Sequence, residues 1–114
     1  MNQKGSGSEG GWEPGRKAGL ASMIEYQTGS VVSRTIINRK SGSLTLFAFD
    51  QGEGLSEHTA PYDALLHVFD GEAIVTVSGK MEVLKAGEAV ILPAGEPHSV
   101  SASTRFKMLL VMIR

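Results

Sequence analysis

The most constraining feature of this chain is a regular succession of short β-like segments from residue 31 onward. Each segment is rich in β-branched, aromatic or alternating apolar residues, and turn residues separate it from the next. No window beyond residue 30 keeps the 3.6-residue apolar period of a capped helix. Such a pattern predicts an all-β sandwich or a closed barrel, and closure is favoured because it leaves no exposed strand edge. The predicted strands are Val31 to Ile37, Ser43 to Phe49, Ala64 to Phe69, Glu72 to Val77, Met81 to Leu84, Glu88 to Leu92 and Phe106 to Ile113.

Three of these segments carry further predictions. In Ser43 to Phe49 apolar residues occupy both faces, so both faces are expected to be half-buried. The dipeptide Asp70-Gly71 predicts a tight hairpin between the two segments that flank it. Met108 to Ile113 is almost continuously apolar, as in a strand that is covered on both faces. Because a small barrel has only one interior, this stripe predicts a homodimer that forms by packing sheet against sheet.

The first nineteen residues differ in composition from the rest. Met1 to Gly19 contains six glycines, one proline and almost no apolar side chains, so it buries too little surface to offset the entropy lost on ordering. We therefore predict a flexible N-terminal arm over residues 1–19 and one β domain over residues 20–114, with at most a short helical turn around Ala21 to Tyr26. Trp12 is interpreted as a loosely held tail residue, and the alternative is docking on the domain or on a neighbouring subunit.

Composition excludes several functional classes. A chain of 114 residues suits one domain. Because it has no cysteine, it can form no disulfide, cysteine-bound zinc or iron–sulfur site and no thiolate nucleophile. A net charge of -1 without a basic block argues against nucleic acid as a partner. The apolar runs are far shorter than the roughly 18 to 20 residues of a membrane span, and no signal peptide is recognised, so a cytoplasmic protein without a membrane partner is expected.

Two glycine-bracketed segments carry the clearest motifs. In the first, Gly52 is followed by five residues and then His58, and Gly71 ends the segment. In the second, Gly87 is followed by five residues, Pro-x-Gly and, after two more residues, His98. These segments resemble the two signature motifs of the cupin superfamily, whose members are small jelly-roll β-barrels, also called double-stranded β-helices. The resemblance implies a small single-domain cupin with a degenerate first motif.

In the metal-binding cupins these motifs supply three histidines and one glutamate, a ligand set that suits divalent iron, manganese, nickel or zinc. Carried over to this sequence, the first ligand position falls on His58 and the last on His98. The two middle positions fall on Ala60 and Ala64, which cannot coordinate metal. Ala102 replaces the asparagine that ends the second family motif. The resemblance, which covers residues 30–114, therefore implies at most a partial metal site.

Two other side chains are candidates to complete such a site. His67 differs from Ala64 by an odd number of positions, so on one strand it points to the opposite face. Asp63 directly precedes that strand, where strict alternation need not hold, and it is either a metal ligand or, as we favour, a turn-stabilising carboxylate. Ala60, Tyr62 and Ala64 are expected to line the pocket around the histidines.

Three functions remain compatible with the sequence. The first is a module that binds a small organic ligand in the barrel beside His58 and His98, which can form hydrogen bonds or transfer protons without metal. The second is a metal-dependent enzyme of the dioxygenase, isomerase or lyase type, in which Asp63 or water completes the ligand set. The third is a structural dimer without a small-molecule role. The missing ligands favour the first over the second, and the sequence does not decide whether the protein is an enzyme.

Overall fold

The computed structural model describes residues 11–114, and this part of the chain contains eight β-strands after a short 3-10 turn at Leu20–Ser22. None of the helical turns in residues 11–114 has the length and apolar character needed to cross a membrane. The all-β prediction is confirmed, although β3 and β7, which carry two of the three histidines, are not among the predicted segments. The strands are β1 (Val31–Arg39), β2 (Gly42–Phe49), β3 (Gly54–His58), β4 (Asp63–Val77), β5 (Lys80–Lys85), β6 (Ala89–Leu92), β7 (His98–Ser101) and β8 (Phe106–Ile113).

The strands curl into a jelly-roll barrel, as the motifs imply. Their hydrogen-bonded order is β1-β2-β8-β4-β7-β3, and both β5 and β6 pair with β4. The first part of β4 pairs with β6 and β8, and its second part pairs with β5 and β7. We call the half built from β1, β2, β8, β6 and the first part of β4 the front sheet. The back sheet is built from β3, β7, β5 and the second part of β4.

The predicted hairpin at Asp70-Gly71 is wrong, because β4 runs through this dipeptide without reversing. The register against β8 shifts between Val68 and Asp70, and Gly71 has a φ of 72°. A Cβ at Gly71 would lie 1.9 Å from the carbonyl oxygen of Arg105. The glycine therefore serves a β-bulge that bends one long strand from the front sheet into the back sheet.

The interior of the front sheet has two unlike ends. At one end, which we call the closed end, Phe49 and Phe106 are fully buried and their rings stack with centroids 4.4 Å apart. We call the opposite end of the barrel the mouth. Cross-strand partners lie on the same face of a sheet, so the strand register shows which side chains point inward at the mouth. They form a row of Ser43, Met112, Ala64 and Leu92.

A second, smaller core lies on the outer face of the front sheet. Its buried members are Ile24, Ile36, Leu46 and Ala48, and the half-buried Trp12 packs against them. The arm residue Trp12 thus docks on the domain, which is the second of the two alternatives. Residues 1–10 of the predicted arm lie outside the described residues.

The segment that covers this outer core comprises residues 12–29, which we call the covering segment. Polar contacts from the barrel hold it in place. Lys107 is 6% exposed and donates from Nζ to the carbonyl oxygen of Ala21 at 2.5 Å. The Tyr26 hydroxyl donates to the Asp70 carboxylate at 2.6 Å. Burial and then this carboxylate raise the pKa of Tyr26 above its ordinary value.

Asp50 anchors the end of the same segment. Its carboxylate accepts the backbone N–H of Gly29 at 2.7 Å and Nε–H of Arg105 at 2.8 Å. The hydrogen bond from Gly29, followed by that from Arg105, lowers the pKa of Asp50 to about 2. Charged groups of the barrel therefore hold the covering segment at Ala21, Tyr26 and Gly29.

Candidate functional site

Two histidines from different strands meet at the mouth of the barrel. His58 ends β3 and His98 begins β7, and the two residues are cross-strand partners. Their Nε2 atoms lie 3.2 Å apart, and the rings meet edge to face with centroids 4.4 Å apart. His98 is only 7% exposed, whereas His58 is exposed to solvent. One side of the pair is therefore open to a ligand.

The hydrogen bonds of the other ring nitrogens define the state of this pair. Nδ1 of His58 lies 2.8 Å from the carbonyl oxygen of Ser56, and Nδ1 of His98 lies 3.2 Å from that of Glu96. A carbonyl oxygen only accepts, so each Nδ1 donates its proton to the carbonyl, and a ring without a second proton directs a bare Nε2 lone pair at the other ring. Two such lone pairs repel each other at 3.2 Å. The arrangement is thus completed by a positive species or a donor, namely a shared proton, a ligand O–H or N–H group, or a metal ion.

The connection between β3 and β4 holds the loop that precedes His98. Asp63 accepts the backbone N–H of Ala94 at 2.8 Å, and the carbonyl oxygen of Ala60 accepts that of Gly95 at 2.7 Å. These contacts give the Asp63 carboxylate a role in holding a turn. They also tie the segment that follows His58 to the segment that precedes His98.

The turn between β4 and β5 also holds this loop. Ser78 donates its hydroxyl to the carboxylate of Glu96 and its backbone N–H to the carbonyl oxygen of Pro97 at 2.8 Å. Ser78 does so with a φ of 49°, the one positive value outside glycine in residues 11–114. Since the carbonyl oxygen of Glu96 holds the His98 ring, one residue links the Ser78 turn to the imidazole.

The wall opposite the histidine pair is apolar. Ala64 is buried on the inward face of β4, and its cross-strand partners on either side are Leu92 and Met112. Ala60 is half-buried in the turn before β4, and the neighbouring Tyr62 is 38% exposed. The mouth therefore combines two ring nitrogens on one side with small or apolar side chains on the other.

Comparison with known proteins identifies the fold family. The model of the cupin domain matches residues 45–114, which is more than half of the chain. The chain belongs to the cupin family. A search of curated protein sequences finds no match.

Solved structures resemble this cupin over most of its length. A conserved protein of unknown function from Streptococcus pyogenes is 28% identical, with 90% of each chain covered and a TM-score of 0.85. A cupin superfamily protein from Desulfitobacterium hafniense is 30% identical over 87% of this chain and 91% of that one, with a TM-score of 0.82. A cupin 2 conserved barrel domain protein from Leptotrichia buccalis is 42% identical over 83% of this chain but 46% of its own length, with a TM-score of 0.81.

The residues at the mouth of this cupin fit a metal ion only in part. Two nitrogens that each bond an ion at about 2.1 Å lie about 3.0 to 3.4 Å apart, so the separation of the two Nε2 atoms suits neighbouring ligands. Ala60 and Ala64 supply no donor, and Asp63 is engaged with Ala94. Within residues 11–114 no group of three or more histidine, cysteine, aspartate or glutamate side chains is arranged to hold a metal. Within residues 11–114 the structure therefore brings together two of the four ligand positions, His58 and His98.

His67 does not join this pair. It is half-buried and alternates along β4 with the fully buried Leu66 and Val68. Its cross-strand partner is Leu109, which packs against the outer core. His67 therefore lies on the outer face of the front sheet, on the side opposite Ala64.

An open cleft of about 330 Å³ adjoins the mouth of the cupin barrel. It lies where the edge strands β5 and β6 face each other, and it contains the half-buried Val77 and Val90. Val77 is the cross-strand partner of His98. Ser78, Lys80, Glu82 and Glu96 add polar groups to the cleft.

Sequence reasoning did not find Ser78, Glu96, Leu92 or Met112. The position of Glu96 between the Pro-x-Gly turn and His98 is a signal that its carbonyl oxygen faces the imidazole. Leu92 and Met112 become part of the mouth only through cross-strand register, which no local pattern specifies.

Proposed function

We propose that this cupin is a binding module that holds a small organic acid at the mouth of its barrel. The observation that carries the proposal is the pair of Nε2 atoms, 3.2 Å apart, with both Nδ1–H groups held by carbonyl oxygens. One proton taken up from solvent on either Nε2 makes that ring a cationic donor, which removes the repulsion between the lone pairs and offers an N–H group to a ligand carboxylate. Charge-assisted hydrogen bonds of this kind are about twice as strong as neutral ones.

The apolar wall supports the choice of an acid with an apolar body. Ala64, Leu92 and Met112 lie across from the imidazoles and offer contact to methyl or ring carbons, but no hydrogen bond from a side chain. His98 is nearly buried and His58 is exposed, so the acid approaches from the His58 side.

Spectroscopic titration tests this proposal directly. We expect benzoate and hexanoate to shift the imidazole ¹⁵N signals of both mouth histidines and the amide signals around Ala64, whereas methyl benzoate, which has neither a charge nor a hydrogen-bond donor, shifts neither. His98→Ala abolishes the response. The matched control is His67→Ala, which removes a histidine from the outer face. This variant should keep the response to the carboxylates. Carboxylates that leave all of these signals unchanged at millimolar concentration would exclude the proposed ligand class.

A centre with a divalent transition metal is the second candidate, because the Nε2 separation also suits two ligands of one ion. His58 and His98 would hold it, with water in the remaining positions, and the Nδ1 hydrogen bonds to backbone carbonyl oxygens would fix the orientation of both rings. Such an ion supplies a Lewis acid that polarises a bound carbonyl or carboxylate group.

Metal analysis separates the two candidates. We expect isothermal titration with Zn²⁺, Ni²⁺, Mn²⁺ and anaerobic Fe²⁺ to give binding weaker than that of a full four-ligand site. Stoichiometric metal in protein purified without chelator, lost in His58→Ala and His98→Ala but retained in His67→Ala, favours the metal centre over the metal-free site. Carboxylate binding to chelator-treated protein favours the metal-free site.

A further inference from the structure

The inward face of the back sheet carries a row of side chains that continues from the histidine pair. Partners in cross-strand register lie on the same face of a sheet, so the members of this row all point into the barrel at its mouth. From β3 to β5 the row consists of His58, His98, Val77 and Lys80. Two imidazoles and one ammonium group therefore share one row, with the apolar Val77 between them.

The turn between β4 and β5 fixes the position of Lys80 in this row. Ser78 and Gly79 form a two-residue connection in which both φ values are positive, at 49° and 81°. Two positive values are typical of a type I′ turn, which sets the residues on either side of it directly opposite each other. Val77 and Lys80 are those residues. Because side chains alternate along β5, Lys80 then points inward and Met81 points outward.

The cavity at this position agrees with the register. Lys80 lines the open cleft of about 330 Å³ between β5 and β6 together with Val77 and Val90, and the outward Met81 is not part of the lining. Among the lining residues, which all belong to the described part of the chain, Lys80 alone is cationic. Its ammonium group forms no ion pair or side-chain hydrogen bond within residues 11–114. This group is therefore available to a ligand.

Two carboxylates also line the cleft, but neither lies in the row. Glu96 accepts the hydroxyl of Ser78 at the turn. Glu82 is the next inward residue of β5, and as the cross-strand partner of Val75 it lies one row nearer the closed end. Both negative charges disfavour a second anionic group of a ligand in the cleft. Lys80 is the point in the cleft where such a group is stabilised.

We infer that the bound acid is a dicarboxylic acid of the size of glutarate, with one carboxylate at the imidazole pair and the other at Lys80. This inference rests on the proposed function, and it adds a second group by which the ligand is recognised. The flexible four-carbon stem of lysine adjusts the position of the ammonium group to such a ligand.

The size of the acid follows from the spacing of the strands. Strands lie about 4.8 Å apart and side chains stand roughly perpendicular to the sheet, so His98 and Lys80 are about 9.6 Å apart across Val77. In glutarate, four carbon–carbon bonds separate the two carboxyl carbons by about 5 Å, and a charge-assisted hydrogen bond of about 2.8 Å at each end completes the span. The methylene groups between the carboxylates then lie over the side chain of Val77.

Titrations with a matched pair of ligands test the inference. Glutarate and its monomethyl ester have the same carbon chain, but the ester has only one carboxylate. From the imidazole ¹⁵N signals of the mouth histidines we expect glutarate to bind about tenfold more tightly than the ester, of which about fivefold comes from one solvent-accessible ion pair and the rest from two equivalent carboxylates. Glutarate should also shift the ¹³Cε signal of Lys80, which the ester leaves unchanged. Malonate, whose carboxyl carbons are only about 2.5 Å apart, should leave that signal unchanged as well.

A pair of variants assigns the effect to one side chain. In Lys80→Met, which keeps the length of the side chain and removes its charge, the preference for glutarate should fall to about the twofold factor that two equivalent carboxylates give by statistics. Lys85→Met removes the same charge from the outward face of β5 and should retain the full preference. Both lysines are exposed, so neither substitution should disturb the fold.

The outcomes distinguish this inference from the proposed function. If the ester shifts the histidine signals and glutarate binds no more tightly, or if Lys85→Met loses the preference as Lys80→Met does, the second carboxylate subsite is wrong and the acid site remains. Lys80 would then serve only to keep the edge of β5 from pairing with another chain. A shift of the Lys80 signal by malonate would overturn the span. If neither glutarate nor its ester shifts the histidine signals at millimolar concentration, the proposed function fails and this inference fails with it.

Discussion

The closed end and the mouth of the barrel are made by the same strands but hold different kinds of side chain. On β2 and β8 the closed end places Phe49 and Phe106, which are fully buried and stacked. Toward the mouth the same two strands place Ser43 and Met112, which are only half-buried. The polar ring nitrogens of the histidine pair occur at the mouth and not at the closed end.

This difference separates the part of the barrel that stabilises the fold from the part where the proposed ligand would bind. Large rings fill the closed end and remove apolar area from water, at about 25 cal/mol per Å². At the mouth the small side chains of Ala60 and Ala64 bury less apolar surface than the two rings do, and this is where the proposed ligand would enter. Substitutions at the closed end should therefore alter folding, and those at the mouth should alter binding.

The largest expected effect is that of Phe106→Ala at the closed end. Removing a fully buried ring that stacks on Phe49 should lower the free energy of unfolding by about 3 to 5 kcal/mol, measured by urea denaturation at pH 7. Met81→Ala is the control, because Met81 is 66% exposed and its loss should cost less than about 0.5 kcal/mol. Similar losses for the two variants would contradict the difference between the closed end and the surface.

At the mouth, the double variant Ala60→His/Ala64→Glu should convert the proposed carboxylate site into a metal centre. It restores donors at the two ligand positions that the cupin resemblance assigns to these alanines. Without metal it should be less stable than the wild type, because the buried Ala64 position receives a carboxylate. With Zn²⁺ or Ni²⁺ at about 100 times the dissociation constant, metal should add about 2.7 kcal/mol of stability, which thermal unfolding detects.

The matched control for this variant is Ala60→His/Ala64→Gln, which has nearly the same size and lacks the anionic ligand. Metal should raise the melting temperature of this control less than that of the Ala60→His/Ala64→Glu variant. A double variant whose melting temperature does not respond to metal would show that the backbone at the mouth no longer has the geometry of a metal-binding cupin.

Much of the fold follows from sequence because its signals are local. The two sequence motifs place a glycine at a fixed distance before each histidine, Gly52 before His58 and Gly87 before His98. The structure brings the two histidines together as cross-strand partners. The stripe in β8 predicted two covered faces, and Leu109 does pack against the outer core. Its further prediction, a homodimer, stays a prediction until the solution mass is known.

What could not be predicted depends on non-local pairing. Asp70-Gly71 is a turn signal taken alone, but pairing with β8 converts it into a bulge, and nothing within the dipeptide distinguishes these outcomes. Lys107 fixes Ala21 across 86 positions of sequence, so no local pattern reveals the contact. The link between Ser78 and Glu96 likewise joins two separate turns.

Substitutions at Ser78 test the link that positions His98, with a smaller effect on stability. Ser78→Ala loses the hydroxyl bond to Glu96 and keeps a side chain at positive φ, which should cost about 1 kcal/mol or slightly more. Ser78→Gly also loses the bond but relieves the backbone, so it should be more stable than Ser78→Ala by roughly 1 kcal/mol. In both variants we expect the Nδ1 signal of His98 to broaden or shift in ¹⁵N spectra, which a purely structural role of the turn would not cause. An unchanged His98 signal in both would remove Ser78 from the site.

The smallest expected effect concerns Asp50, near the closed end and far from the histidines. Its pKa in the folded protein is about 2, below its ordinary value of 3.8, chiefly because the Gly29 N–H and then Arg105 hydrogen-bond the ionised carboxylate. A depressed pKa contributes stability that is present above about pH 4 and is lost as the pH falls from there toward 2. The free energy of unfolding should therefore fall less between pH 5 and pH 2 in Asp50→Asn than in the wild type, measured by urea denaturation at each pH. Glu57→Gln, which removes one exposed carboxylate from β3, controls for the change in net charge. Equal acid sensitivity of Asp50→Asn and the wild type would show that this anchor does not stabilise the covering segment, and that the closed end depends on its apolar packing alone.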